Sequence, residues 1–381
     1  MQRKQHLFIP GPTPVPPEVA IAMAKPIIGH RSSEYASLQR SLVEKVKQVF
    51  QTKNDLFIFT SSGTGALEAM VTSSVNPGDD VLALVTGQFG QRFADIAEQC
   101  GAKVESMEFP WGKPVEIGEV RERLERGPLP QAVLMTHNET STGVVNDVAA
   151  VGSLLRHKET LLLVDAISSM GAADIRTDEW SVDLMATSSQ KAFMLPPGLA
   201  FLSVSPKGWN KIEQVEARSF YFGLKRWREQ VGKGFSPWTP NVSLLFGLEK
   251  SLELMLGQGL AQVWGRHLRY AKAVRAGVRA LGLALVAEDD WASPTVTAIY
   301  IPNGDAAALR AAVKNEFGLC FAGGKGGQAD SVIRFSHMGY IDELDILGAL
   351  AGLELGLKRL NYPVQLGAGV AQAQAQFLRE G

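Results

Sequence analysis

Leu161-Leu162-Leu163-Val164-Asp165, followed by Leu184-Met185-Ala186-Thr187-Ser188-Ser189-Gln190-Lys191, decides the fold. Each is a short apolar run of the kind that a strand buried on both faces requires. The first ends in a single acid and the second in a single lysine, both where a strand should meet its loop. Outward from this pair, comparable runs recur at 56–60, 81–86, 104–109, 132–137 and 199–204, with helix-length segments between most of them. The spacing predicts an α/β fold with a mainly parallel seven-stranded sheet flanked by helices. Tight turns such as Asn76-Pro77-Gly78-Asp79-Asp80 punctuate it. Ligands in such folds sit beyond the carboxyl ends of the strands, which is where Asp165 and Lys191 fall.

Around this centre the chain divides into three stretches. Residues 1–20 are rich in proline and read as an extended segment, and 21–265 form the large domain. Helical spacing of Leu38, Leu42, Val43, Val46, Val49 and Phe50 predicts a helix over 33–52. A long helix is expected from Val242 through roughly Leu281. Residues 295–302 read as a strand in a smaller α+β domain over 266–381.

Composition narrows the functions open to the chain. Of its 381 residues, 45% are hydrophobic and 20% charged, and the formal net charge is −1. No global field recruits nucleic acid or an acidic membrane surface. No apolar run is long enough to span a bilayer, and Pro10-Gly11-Pro12-Thr13-Pro14 interrupts any leader-like segment. Cys100 and Cys320 offer no disulfide framework, and none of the six His pairs with Cys at metal-ligand spacing. The expectation is a cytoplasmic enzyme without a metal.

A carboxylate and a lysine delivered from neighbouring strand ends are what pyridoxal phosphate (PLP) chemistry needs. The lysine joins the cofactor as a Schiff base, and the acid keeps the ring nitrogen protonated so that the ring withdraws electrons. Thr60-Ser61-Ser62-Gly63-Thr64-Gly65-Ala66 adds a glycine-rich strand-to-helix turn suited to a phosphate. It lacks the Gly-Lys-Ser/Thr ending and the full dinucleotide glycine spacing, so a nucleotide does not fit. Phe89 follows the second strand and offers a face to a flat ring; alone, a core role would be the default. His137-Asn138-Glu139-Thr140-Ser141-Thr142-Gly143 gathers polar groups after the fourth strand, which suits either a ligand's oxygen or an ordinary polar loop. Arg334 stands in a strand-like apolar setting where its fork needs a carboxylate, from a substrate or from a structural acid.

These stretches, with Pro10-Gly11-Pro12-Thr13, Gly29-His30-Arg31, Gly87-Gln88-Phe89-Gly90-Gln91-Arg92 and Gly323-Gly324, resemble the class-V, fold-type I PLP-dependent aminotransferases. The similarity runs nearly end to end and is greatest to the alanine–glyoxylate and serine–glyoxylate branch. It implies that Lys191 is the Schiff-base lysine and proton carrier, that Asp165 pairs with the ring nitrogen, and that Ile167 packs opposite Phe89. It implies further that Thr64, Gly65, Ala66 and Gln190 hold the phosphate and Thr140 or Asn138 the phenolic oxygen. Arg334 would take the substrate carboxylate, with Gly11 beside it. Thr239 would reach the phosphate of a partner subunit, making the active site a property of a homodimer. Many relatives carry Trp at the position of Phe89, and the segment 235–238 lacks a Tyr that some use on the phosphate.

The implied reaction moves the amino group of a small L-amino acid, alanine or serine, to glyoxylate or pyruvate by ping-pong half-reactions. Two rivals share the scaffold. Cysteine desulfurases commonly have His before the lysine, where this chain has Gln190, and need a mobile nucleophilic Cys; Cys320 reads as part of a strand. Aminoethylphosphonate transamination needs extra cations, for which Arg31 and Lys325 are the candidates. A non-catalytic binding protein need not retain both Lys191 and Asp165.

Overall fold

A computed structural model describes residues 4–379. After β1 (His6–Phe8), the large sheet is built from β2 (Asp55–Ser61), β3 (Asp80–Val85), β4 (Lys103–Glu108) and β5 (Ala132–Thr136). Two short strands, β6 (Asn138–Glu139) and β7 (Val144–Val145), form a separate ribbon. The large sheet continues with β8 (Leu161–Asp165), β9 (Leu184–Ser188) and β10 (Gly198–Val204). Its order is β2-β10-β9-β8-β5-β3-β4, and only β10 runs antiparallel to its neighbours. The seven expected strands are thus the seven strands of this sheet.

Burial follows the period of two that a strand dictates. Leu162, Val164, Leu82, Leu84, Val133 and Met185 enter the core on one side of the sheet. Leu161, Leu163, Val81, Ala83, Leu134 and Ala186 enter the core on the other. Every residue of β5, β8 and β9 is buried, as a sheet covered by helices on both faces demands. At the edge, β4 carries Lys103, Glu105 and Glu108 on a largely exposed strand, which discourages pairing with another chain. The helix Ser33–Phe50 starts where the Ser32 hydroxyl accepts from Tyr35 N at 3.1 Å, and it buries Leu38, Leu42, Val46 and Val49.

The smaller unit has its own sheet and core. Its strands are β11 (Val296–Tyr300), β12 (Leu319–Gly323) and β13 (Val332–Ser336), joined by β1 in the order β1-β12-β13-β11. Phe8, Ile299, Phe321, Ile333 and Phe335 pack there with the helices Ala306–Phe317 and Glu343–Arg359. Two sequence expectations differ from the structure locally. The stretch 1–20 is not extended throughout, because a helix Pro17–Met23 begins in it, with proline at the first turn where its missing N–H costs nothing. The long helix expected from Val242 is two helices, Val242–Gln258 and Leu260–Ala280, divided at Gly259, whose φ of 89° most residues avoid. The second of these runs unbroken across residue 265.

Candidate active site

Register places the key pair. Asp165, the last residue of β8, lies opposite Ala186 of β9, and five residues beyond Ala186 the chain reaches Lys191 in the loop after β9. Both strands point their carboxyl ends the same way, so acid and amine arrive in one place. They line a small cavity of about 100 Å³ together with Thr64, Phe89, Asn138, Thr140, Ile167 and Gln190. Eight residues picked out in the sequence therefore line one cavity: Thr64, Phe89, Asn138, Thr140, Asp165, Ile167, Gln190 and Lys191. Gly65 and Ala66 sit behind them in the first turn of the helix Gly63–Ser74.

That helix opens directly from β2. Its N-cap residue, Ser62, makes no side-chain capping bond, so the first-turn amides and the positive end of the helix dipole face the cavity wall that Ser62, Gly63 and Thr64 form. The glycines are there for space. A Cβ on Gly63 would lie 2.6 Å from Ile167 Cδ1, and one on Gly65 would lie 2.1 Å from Ser61 Oγ.

Lys191 is held from the N-terminal segment. Its Nζ donates to the Pro10 carbonyl, its own main-chain carbonyl accepts from Thr13 Oγ1 at 2.9 Å, and Thr13 N donates to Gln190 O at 3.2 Å. Gly11 lies against the end of the same side chain. Burial, aided by the nearby Arg334 cation, lowers the Lys191 amine to about 8. Burial raises the Asp165 carboxyl to about 7; Glu139 adds to the rise, while the Ile167 N–H, donating to Oδ1 at 2.8 Å, opposes it, as do Lys191 and Arg92. An amine lowered and an acid raised, side by side, mark a place built for proton movement near neutral pH.

Polar groups close the rim. Thr140 Oγ1 donates to Ser168 Oγ at 2.8 Å, and Asn138 Nδ2 donates to the same oxygen at 2.7 Å. Asn138 Oδ1 and Gln190 Oε1, both on cavity-lining residues, are buried and have no hydrogen-bond partner among the described residues. Arg334 does not line the cavity. From β13 its Nη1 donates to the Thr140 carbonyl at 3.2 Å and its Nε to the Gly323 carbonyl at 2.8 Å, which leaves the rest of the guanidinium fork beside the site. Burial lowers it to about 10, so it stays cationic at neutral pH. Thr239 is not brought to this cavity; it lies just before the helix Val242–Gln258, next to Trp238, which stacks with the exposed Phe220.

Several contributors were not singled out as site residues in the sequence. Arg92 lines the cavity and its guanidinium lies 4.9 Å from the centre of the Phe89 ring. The i,i+3 spacing of the two within 87–92 was the available signal. Ser168 had none, being an ordinary serine after a strand. Pro10 and Thr13 could be placed only by tertiary structure. Of the rival candidates, Cys320 is partly buried in β12 and Cys100 ends the helix Gln88–Gln99, and neither lines the cavity. Arg31 donates to the Ser236 carbonyl at 2.7 Å and to the Pro237 carbonyl at 3.2 Å, so its fork is already engaged. Among the described residues no helix is long and apolar enough to cross a membrane.

Comparison with known proteins agrees with this geometry. Residues 6–347 match the family described as Aminotransferase class-V. The chain is 40% identical to a serine–glyoxylate aminotransferase of Hyphomicrobium methylovorum, over 98% of this chain and 94% of that one. It is 39% identical to a Synechococcus protein named soluble hydrogenase, small subunit, over 98% of both. Among solved structures, ureidoglycine–glyoxylate aminotransferase from Bacillus subtilis superposes with a TM-score of 0.93 at 29% identity, covering 99% of each chain.

Proposed function

Because this chain belongs to the class-V aminotransferases, we propose that it transfers the amino group of a small L-amino acid, alanine or serine, to glyoxylate or pyruvate, with PLP as carrier. The observation that carries the reading is the joint placement of Lys191 and Asp165, the amine lowered and the carboxyl raised by burial, in a cavity closed by a glycine-rich helix start. The Synechococcus relative bears a name from a different chemistry, but a lysine and an acid so placed favour amino transfer.

The residues suit the cofactor. An anion fits the start of the helix Gly63–Ser74, where Thr64 and Ala66 carry first-turn amides, Gly65 donates its own to the Ser62 carbonyl at 3.0 Å and keeps the turn tight, and Gln190 lines the same cavity. The unpartnered Asn138 Oδ1 and Gln190 Oε1 are acceptors that call for a donor, or for the amide to turn its N–H groups toward a ligand's oxygens, and Phe89 and Ile167 bound the cavity with flat and aliphatic surface. When bound, PLP supplies an aldehyde that captures amines and a ring that withdraws electrons from the substrate's α-carbon.

The chain's own groups do the rest. Lys191, with its amine near 8, is partly neutral at physiological pH and can accept the α-proton and return it. Asp165 ionises readily beside a cationic ring nitrogen, since an opposite charge favours the carboxylate. Thr140 stands at the cavity wall, where its hydroxyl proton, here given to Ser168 Oγ, would turn to hold a ligand's oxygen. Arg334 offers its remaining N–H groups to a substrate carboxylate in a fork geometry that lysine cannot reproduce. Gly11 keeps the space beside Lys191 open to that substrate. We assign Thr239 to the site of a partner subunit in a homodimer, a role supported by its absence from the lining of its own chain's cavity and by the exposed Phe220 stacked on the neighbouring Trp238. We place it in the cytoplasm, where a chain whose two cysteines are both free fits reducing conditions.

The test is spectroscopic. The visible band of the PLP-loaded protein should disappear on adding L-alanine or L-serine and return on adding glyoxylate or pyruvate. A band indifferent to both donors, but consumed by L-cysteine with release of sulfide, would replace this reading with desulfuration.

A further inference from the structure

Glu139 is fully buried, yet it touches neither the cavity nor a cation directly. Its Oε2 accepts from Phe89 N and Gly90 N, both at 3.0 Å, and its Oε1 accepts from Ser141 N at 2.9 Å and Ser141 Oγ at 2.5 Å. Ser141 Oγ in turn accepts from Gln88 N at 3.0 Å. The first three amides of the helix Gln88–Gln99 are therefore satisfied by a loop some fifty residues away, while the local N-cap, Gly87, has no side chain to do so. Gly87 is required by this arrangement: a Cβ there would lie 2.5 Å from Ser141 Oγ and 2.7 Å from Glu139 Cδ.

A serine at an N-cap would ordinarily do this work without burying a carboxylate, which is the costlier solution. What the remote cap adds is position. The helix it grips carries Phe89 in its first turn and Arg92 in the next, both on the cavity wall. The loop it belongs to carries Asn138 and Thr140, which line the same cavity, and the Thr140 carbonyl receives Arg334. One carboxylate thus ties the aromatic wall of the cavity to the wall that holds the polar groups and the arginine.

We infer that Glu139 is a positioning residue for the ring of the cofactor, acting through Phe89 by clamping the start of its helix to the loop 138–141. This rests on the PLP reading above. All four groups bonded to the carboxylate are donors, so an ionised acid satisfies every one. An amide at this position would present two N–H bonds to groups that are themselves N–H or O–H, and the clamp would open.

The experiment is a double-mutant cycle read by PLP affinity rather than turnover. Glu139→Gln, Phe89→Ala and the double variant are prepared free of cofactor and titrated with PLP, with far-UV circular dichroism to check the fold. Each single change should weaken PLP binding about tenfold. The double variant should bind no more than about twofold worse than Phe89→Ala alone, because the clamp has nothing left to position. Independent, multiplying losses would overturn the inference, as would wild-type affinity in Glu139→Gln. Should Glu139→Gln not fold, Ser141→Ala replaces it in the same cycle, since it releases Gln88 N and one donor to Glu139 while leaving the carboxylate in place. Wild-type protein that takes up no PLP would instead remove the aminotransferase reading itself, so the two failures are told apart.

Discussion

Gly11 lies against the reactive end of Lys191: a Cβ built on it would stand 2.7 Å from Nζ and 2.9 Å from Cε. Its φ of 138° is also one that residues with a side chain rarely adopt. Contact and conformation both demand glycine, in the chain stretch whose Pro10 carbonyl accepts from the same amine.

Gly11→Ala should therefore strike at the lysine more than at the fold. The methyl group must push Nζ away from its place, and the segment must give up its backbone conformation. We expect turnover to fall at least about tenfold, since small misplacements at a reacting centre cost that much or more, while far-UV circular dichroism is retained. Steady-state kinetics with alanine and glyoxylate check this; near-normal turnover would mean that the lysine side chain relocates without consequence.

The lowered Lys191 amine has a signature in stability. In the unfolded chain this amine titrates near 10.5, and in the folded chain near 8. Between those values the unfolded state holds a proton that the folded state has released, so this group's contribution to stability rises as pH increases through the window. Lys191→Met removes the effect. Urea unfolding of cofactor-free protein at intervals from pH 7 to pH 10.5 should show the wild type gaining on Lys191→Met as pH rises. Parallel curves would show that the amine is not desolvated.

Asp165 gives the opposite slope at lower pH. Its carboxyl titrates near 7 when folded, well above an unfolded aspartate at about 3.9. The folded state binds the extra proton in that window, so the contribution to stability is lost as pH rises from 4 to 7. Asp165→Asn keeps an oxygen for the Ile167 N–H but carries no charge to desolvate. The variant should be more stable than wild type at pH 8, by about 1–3 kcal/mol, and nearly inactive. Loss of stability together with activity would mean that the acid is chiefly structural.

Much of this was legible in the sequence because the sheet is regular. The runs at 161–165 and 184–188 are apolar on both faces, and only strands buried between two helical layers need that pattern. The residues at or just past the ends of those strands inherit their positions from the register, which is why Asp165 and Lys191 could be singled out, whereas Thr140 rested on the family resemblance. The antiparallel direction of β10 left no mark, since a fully buried strand reads alike both ways. The break at Gly259 was hidden because one glycine within a helical pattern is commonly tolerated. Glu139 escaped for a different reason: a buried acid is explained by its partners, and these lie on the helix Gln88–Gln99, far away in the chain. Contacts of Pro10 and Thr13 with Lys191 have the same origin, a chain crossing that no local pattern encodes.

Arg334 offers the most direct test of substrate recognition. Its Nε and Nη1 are committed to the Gly323 and Thr140 carbonyls, so the side chain is fixed before any substrate arrives. A fork held in this way loses little freedom on binding a carboxylate, and two parallel charge-assisted hydrogen bonds give orientation as well as affinity. Arg334→Lys keeps the charge but cannot hold both carbonyls and also offer two parallel donors. If the arginine binds the α-carboxylate, KM for the amino donor should rise about tenfold to a hundredfold, with a smaller change in kcat. The oxo acid acceptor carries the same carboxylate, so its KM should rise in parallel. An amine lacking a carboxylate should react equally slowly with both proteins. A loss of kcat with KM unchanged would instead place Arg334 in the support of Thr140, through the carbonyl it already holds.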